Sequence, residues 1–420
     1  MRWLSLCTAV LLSTSAHAGQ TDDLLRRLVD DSPLLDASRL QADAAKADLT
    51  AARGAYLPQL SVEAQASQVQ ETFRINGLPD FPTVTREPAQ AAAVVNQALF
   101  TSGRIGGAVG AAKAQAAEAK HLFDGTRQDL LLAGAATIAD LVRDRAILSE
   151  RRANESVVRQ RLEESVARRK AGLATLTDVQ QSEARLAGAT ADRVFAEGAV
   201  ERSEATFVRL FGFSADADLM IPTAPNAMPT DLQQALDVAL ARNPDVAASD
   251  ERAVAARQLM RSERGALLPQ VSLNATAGYL ENERFGIELG EAEQVTVSLQ
   301  GRWAIFSGGS GYARTRAANR RASAAQRSAD QARRDIREQT ISAWTAVNAG
   351  RSTVRARRAQ AQAADIAARG VAAEFTNGRR TRLDVLDADR EKTDADVALI
   401  AARRDLAVAE FSLLRAMGSL

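Results

Sequence analysis

The residues most able to act together chemically are two carboxylates, Asp384 and Asp387, at the end of the segment 377–387. They are three positions apart, so a helix would place them on one face, where they could attract cations. Thr381 followed by Asp384 also matches a capping box, in which both side chains hydrogen-bond to the first turn of a helix. Asp387 lies beyond that box, so capping does not explain it. For Asp384, capping and cation attraction both stay open.

Few other residues offer reactive chemistry. The one cysteine, Cys7, and one of the two histidines, His17, lie at the N-terminus, which leaves His121 in an alanine-rich helical stretch. The sequence contains no nucleophile elbow and no phosphate-binding loop. A net charge of +1, from 53 Lys and Arg against 52 Asp and Glu, disfavours general nucleic-acid binding. We predict a protein that is not an enzyme, with no cofactor, no metal site and no nucleic-acid partner.

A weaker copy of the charged segment lies in the first half of the chain. Residues 171–179 repeat its order of a glycine, a threonine three residues later and an aspartate three residues after that. Gly172 and Gly378 are expected to form tip turns, at 171–177 and 377–381. Two copies of one turn at matching places predict an internal two-fold repeat.

Other matched positions extend the repeat. Pro33 recurs as Pro244, and Phe211-Gly212 recurs as Met417-Gly418. We therefore predict a first repeat over 19–212, a linker over 213–229 and a second repeat over 230–420.

The N-terminus reads as a secretory signal. Arg2 precedes the apolar run 3–12, and small residues end in Ala16-His17-Ala18, which predicts a signal peptide over 1–18. Cys7 lies inside the apolar run rather than at the cleavage point, which argues against a lipid anchor. No later stretch is apolar enough to predict a transmembrane helix.

Each repeat is predicted to contain a long helix, a turn and a return helix. Proline is absent from 89–221 and 270–420, and a proline inside a helix would cost roughly 3 kcal/mol. The long helices are predicted at about 104–170 and about 313–376, with return helices to 212 and 418. Leucines recurring every seven residues in the last helix indicate coiled-coil packing.

Alternating apolar and polar residues predict four strands, arranged as two hairpins at about 58–101 and about 269–306. A soluble amphipathic hairpin and a membrane β-barrel would both show this alternation. Four strands cannot close a barrel alone, and lipid excludes unpaired strand edges, so a barrel would require several copies of the chain. Aromatic residues near the strand ends could form a girdle: Tyr56, Phe100, Tyr279, Trp303 and Phe306.

With its signal, its duplicated halves and the segment Gly378–Asp387, the mature chain resembles the TolC family of outer-membrane efflux and secretion channels. The resemblance implies a mainly α fold with β: a long α-helical coiled-coil barrel plus four transmembrane β-strands per protomer, which contribute to a shared twelve-stranded trimeric β-barrel. It implies a homotrimer in the outer membrane of a Gram-negative bacterium, extending into the periplasm and passing substrates for tripartite efflux or type I secretion. The implied partners are a periplasmic adaptor (membrane fusion) protein and an inner-membrane pump of the RND or ABC type.

A soluble periplasmic coiled-coil adaptor or scaffold protein is the alternative that the periodicity leaves open. The sequence also leaves the cargo open between a drug, a metal ion and a protein.

The resemblance also implies roles for residues at the tip turns. Asp384 and Asp387 would project into the tunnel tip, where three protomers would gather two rings of carboxylates that select cations. Arg380, and Thr177 with Asp178, would lie where the family links neighbouring helix pairs to hold the tip shut. The family often has a tyrosine where this chain has Phe375, so this chain lacks the hydroxyl for a link at that position.

Overall fold

The computed structural model describes residues 21–72, 74, 76–77, 82–224, 228–284 and 287–420. The signal peptide predicted at 1–18 and parts of the loops between strands lie outside these ranges. The first repeat contains α1 (21–31), α2 (Pro33–Gly54), β1 (Gln59–Ala66), β2 (Val69–Glu71), β3 (Val84–Arg86), β4 (Ala89–Phe100), α3 (Arg104–Lys170) and α4 (Leu176–Phe211). The second contains α5 (Leu232–Arg242), α6 (Pro244–Gly265), β5 (Gln270–Arg284), β6 (Ile287–Arg302), α7 (Ser310–Thr376) and α8 (Arg382–Ala416).

The element order confirms a mainly α fold with an internal two-fold repeat. The long helices α3 and α7 each contain 67 residues. Helix α7 begins at Ser310 rather than near 313. Gly308 and Gly309 have positive φ values of 59° and 76°, so they turn the chain at once and let the helix start directly after them. No helix in the described residues has both the length and the apolarity needed to cross a bilayer.

The chain divides into two compact units. One contains the described residues up to Ser38 together with Leu122–Val246 and Ala332–Leu420, and the other contains Arg39–His121 and Ala247–Gln331. All four long strands belong to the second of these units.

The long strands form one antiparallel sheet in the order β1-β4-β5-β6. The two predicted hairpins are therefore joined along β4 and β5. Residues directly opposite each other share a face of the sheet, and the register places two apolar rows across all four strands: Leu60, Val95, Ala275 and Val297 in one, and Val62, Ala93, Ala277 and Val295 in the other.

The two faces of this sheet differ in polarity. Val62 and Val295, on the apolar face, are 78% and 77% exposed in the single chain. The opposite face carries amides: Asn96 Nδ2 donates to Asn274 Oδ1 at 2.7 Å. An exposed apolar sheet face is the reverse of the usual arrangement in a water-soluble antiparallel sheet, where the apolar face covers a core.

In the same unit, Gly107 allows close approach of α3 and α6. A Cβ atom at this position would lie 2.5 Å from Ser262 N and 2.8 Å from Gln258 O. Those backbone atoms cannot move as a flexible side chain could, so the contact requires glycine. Ser262 Oγ also donates to Arg104 O at 2.8 Å.

The other unit has a core formed by α1, α3, α4 and α8. Phe207 and Ile138 have no exposed surface, and Phe207 stacks on Phe211 with ring centroids 4.3 Å apart. Linker residues Leu219 and Ala224 are buried in the same cluster. The linker between the repeats therefore contributes to the core.

Candidate functional site

Each of the two long helices ends in a turn, and the two turns have the same conformation. Gly172 and Gly378 have φ values of 74° and 73°, in the left-handed region that favours glycine. Leu173 N donates to Arg168 O at 2.8 Å, and Arg379 N donates to Glu374 O at 2.9 Å. These bonds to carbonyls five residues earlier are typical of a Schellman motif, which ends a helix and reverses the chain.

Both return helices then begin with a complete capping box. Asp178 N donates to Thr175 Oγ1 at 3.1 Å, and Thr175 N donates to Asp178 Oδ2 at 2.8 Å. Thr381 and Asp384 form the same pair of bonds at 3.2 and 2.8 Å. Capping therefore accounts for the position of both aspartates.

The first tip turn is shorter than predicted. Helix α4 begins at Leu176, inside the tip turn predicted at 171–177, because Thr175 is its N-cap. Thr177 therefore lies in the first helical turn. It is exposed, and its side chain makes no hydrogen bond within the described part of the chain.

The caps favour the ionised form of both carboxyl groups. The backbone N–H of Thr175, and then its hydroxyl, lower the pKa of Asp178 below its ordinary 3.8. Thr381 lowers the pKa of Asp384 in the same way. A group whose folded pKa is lowered stabilises the fold fully above its unfolded pKa, and this stabilisation is lost as pH falls through the folded pKa.

We expect Asp178→Asn with Asp384→Asn to lower the thermal unfolding midpoint at neutral pH, because an amide carries no charge for the helix N-terminus. The difference in unfolding midpoint between wild type and variant should be largest at about pH 7. It should close as pH falls below the ordinary value of 3.8. Circular dichroism melts across this range measure the gap. Asp218→Asn, at an exposed linker position, is the control, and a gap independent of pH would contradict the prediction.

Asp387, which capping does not need, is bound to the other repeat. Arg185 Nη2 of α4 lies 2.6 Å from Asp387 Oδ1, and the Asp387 side chain is 55% exposed. This ion pair ties α8 to α4. No sequence pattern indicated Arg185 as the partner, since the pair joins residues of different repeats.

Arg380 forms an ion pair next to its own turn. Its Nε donates to Glu374 Oε2 at 2.9 Å, at the end of the preceding helix. This ion pair joins the turn to the end of α7. The predicted role of Arg380, and of Thr177 with Asp178, in links between neighbouring helix pairs stays a prediction.

Further ion pairs that sequence reasoning missed tie α8 to α3. Arg382 Nη2 lies 3.0 Å from Glu164 Oε2, and Arg161 Nε lies 3.5 Å from Asp389 Oδ2. Higher on the same helices, Arg151 Nη1 lies 3.3 Å from Asp394 Oδ1. These ion pairs hold the part of α8 nearest the tip turn against α3 of the first repeat.

The ring of Phe375 lies within the same cluster. Arg382 Cζ is 4.4 Å from the ring centroid, and Arg168 Cζ is 5.3 Å from it. Both distances are within the range of cation–π attraction. At position 375, where many family members have a tyrosine hydroxyl, this chain therefore forms cation–π contacts through Phe375.

Farther from the tip turns, the carboxylate of Glu155 in α3 binds α4. Burial opposes the ionisation of Glu155, but hydrogen bonds from Thr190, Arg193 and Arg159 lower its pKa overall. Arg193 Nε donates to Glu155 Oε2 at 2.6 Å. Helices α3 and α4 are therefore joined by polar contacts of their own, separate from the contacts of α8.

The predicted girdle residues fall at two levels of the sheet. Phe100 ends β4, Tyr56 precedes β1, and Trp303 and Phe306 follow β6, so these four lie at the end of the sheet where β1 begins. Tyr279 lies along β5, about 30 Å from Gln270 at roughly 3.3 Å per residue. All five side chains are exposed.

A family model described as "Outer membrane efflux protein" matches residues 24–212 and 235–419. The two segments correspond to the two repeats. The match covers most of the chain.

Individual relatives agree with this match. The outer membrane efflux protein BepC of Brucella suis is 28% identical, over 98% of this chain and 90% of the relative. The outer membrane protein TolC of Vibrio cholerae is 26% identical, over 97% of this chain and 93% of the relative. Among solved structures, the CmeC outer membrane channel of Campylobacter jejuni aligns with a TM-score of 0.85 at 15% identity, over 95% of this chain and 85% of that one.

Proposed function

Because the chain belongs to the outer membrane efflux protein family, we propose that it forms the channel-tunnel of a tripartite efflux or type I secretion system. It lies in the outer membrane of a Gram-negative bacterium and extends into the periplasm. As a homotrimer it receives substrates from a periplasmic adaptor and an inner-membrane pump of the RND or ABC type. The family is one of transport channels, and we assign the chain no catalytic chemistry of its own.

The observation that carries this function is the apolar face of the four-stranded sheet. Large hydrophobic residues on β1 and β6 are at least two-thirds exposed in the single chain: Leu60, Val62, Val295, Val297 and Leu299. A contiguous apolar surface of this kind requires a partner or a membrane. A polar opposite face matches a water-filled interior, as in membrane barrels. In a soluble adaptor or scaffold, this apolar face would be exposed to water, so the arrangement disfavours that alternative.

The sheet edges support assembly of several copies. In the described residues, β1 pairs only with β4, and β6 pairs only with β5. Lipid provides no hydrogen-bonding partner for an open strand edge. Joining β6 of one copy to β1 of the next in a ring of three removes both edges and gives twelve strands.

The aromatic residues fit the two borders of such a barrel. Phe100, Trp303, Phe306 and Tyr56 would form the girdle at the periplasmic border, and Tyr279 would lie at the outer border. Their separation of about 30 Å is close to the height of roughly 25 Å that is typical of the apolar band.

We place the gate at the tip turns of Gly172 and Gly378. Three copies would gather Asp384 and Asp387 about one axis, where carboxylate rings favour cations. Asp178, Thr177 and Arg380 stand at the same level and face the neighbouring copies in this proposal. The pair between Asp387 and Arg185 supports a tip held shut by contacts of α8.

Fractionation and reconstitution test the proposed function. We expect the full chain to enter the outer-membrane fraction, to remain a trimer after mild detergent extraction and to form conducting channels in planar lipid bilayers. Leu60→Asp with Val297→Asp, which puts charge on the apolar face midway between the two borders, should abolish membrane assembly because charge at mid-bilayer depth is costly. Recovery of wild type as a soluble periplasmic monomer would show that the protein is a scaffold.

A further inference from the structure

Arg382 occupies a position that helix stability alone disfavours. It is the first residue of α8, where the positive end of the helix dipole repels a cation. Its side chain is only 10% exposed. Its Nη1 atom is buried without a hydrogen-bond acceptor in the described part of the chain. Burying a charged group is costly unless it is well paired, so the contacts of Arg382 must compensate.

The first repeat shows that the turn and its cap do not require an arginine. Leu176 begins α4 at the matching position, directly after Thr175, the N-cap of the same kind of capping box. Its side chain is 54% exposed. The difference between the repeats is therefore the arginine itself and the groups around it.

Those groups come from two helices, α3 and α7. Glu164 of α3 accepts one end of the guanidinium, with Arg382 Nη2 to Glu164 Oε2 at 3.0 Å. Phe375, at the end of α7, presents its ring to the same guanidinium at 4.4 Å, and Arg168 of α3 lies 5.3 Å from the ring. Arg382 thereby ties the end of α7 and the start of α8 to α3.

We propose that Arg382 is a positioning residue that holds the tip of the second repeat against α3, and so keeps the channel narrow. The ring of Phe375 supplies an apolar, electron-rich surface for the cation. Opening the tip moves the α7–α8 turn away from α3, which separates Arg382 from Glu164. This inference rests on the proposed channel function and adds a residue to its gate.

Single-channel conductance in planar bilayers tests the proposal. Arg382→Leu copies the residue of the first repeat and removes an incompletely paired charge, so it should fold and assemble normally. We expect a severalfold rise in closed-state conductance with an unchanged thermal midpoint of the helical signal. Arg379→Leu, in the same turn, is the matched control, since Arg379 is exposed and its side chain forms no hydrogen bond or ion pair within the described residues. Its conductance should equal that of wild type.

A variant of the aromatic partner separates positioning from packing. Phe375→Leu keeps the apolar bulk but removes the aromatic ring, and it should conduct like Arg382→Leu. Glu164→Gln, which does not alter the core, should also raise conductance and serves if Arg382→Leu does not assemble. Trimers of Arg382→Leu or Glu164→Gln with wild-type conductance would overturn the proposal. Wild-type protein that forms no channel would instead overturn the proposed function.

Discussion

Arg185→Gln and Asp387→Asn are expected to change the ion selectivity of the channel in opposite directions. Arg185 lies 2.6 Å from Asp387 and partly cancels its charge at the tip. Removing Arg185 should therefore strengthen the field of the carboxylate ring and raise the ratio of cation to anion permeability severalfold. Removing the Asp387 carboxylate should lower that ratio and leave the arginine uncompensated. Reversal potentials in a salt gradient across a planar bilayer measure the ratio.

The same measurement needs two comparisons. Arg209→Gln removes an exposed charge from the other end of α4 and should leave selectivity unchanged. Because charges beyond about 10 Å are screened at 0.1 M salt, the differences should shrink at high salt. If both tip variants keep the wild-type ratio, Asp387 serves only to fasten α8 to α4 and the selectivity ring lies elsewhere.

Phe207→Ala should give the largest loss of stability. Phe207 is completely buried and contacts two other rings, Phe211 at 4.3 Å and Phe213 at 6.0 Å between centroids. Removing a buried phenyl group leaves a cavity and typically costs about 3–5 kcal/mol. We expect a clearly lower denaturant midpoint for the helical signal of the detergent-solubilised trimer.

Phe213→Ala is the matched control for this prediction. Phe213 is 38% exposed, so its truncation removes less buried surface and should cost less than half as much. Equal losses for the two variants would mean that the ring cluster does not form the core between α3, α4 and α8.

Local features of the structure were predictable because they depend on residues close in sequence. Gly172 and Gly378 mark the turns, since a left-handed residue favours glycine. A threonine followed three residues later by an aspartate marks the helix start, since the two side chains complete each other's hydrogen bonds. The alternation in β5 and β6 predicted strands with one apolar face.

The partners of the charged residues were not predictable in this way. The prediction for Arg380 rested on a resemblance, and within the chain Arg380 binds Glu374. Asp387 and Arg185 are 202 positions apart. A helical period of 3.6 residues fixes which side chains share a face, but it does not fix which neighbouring helix that face meets.

The sequence by itself therefore determined the repeat, the helices and strands, the two turns and their caps, because each depends on backbone preferences within a few residues. Only the tertiary structure decided that α8 is tied to α3 and α4 through Arg185, Arg161 and Arg382. The rotation of α3, α4 and α8 about their axes is set by the packing of the core that they share. That rotation determines which carboxylate each arginine contacts. It also brings Arg382 against the ring of Phe375, at the position where the chain has no hydroxyl for a link.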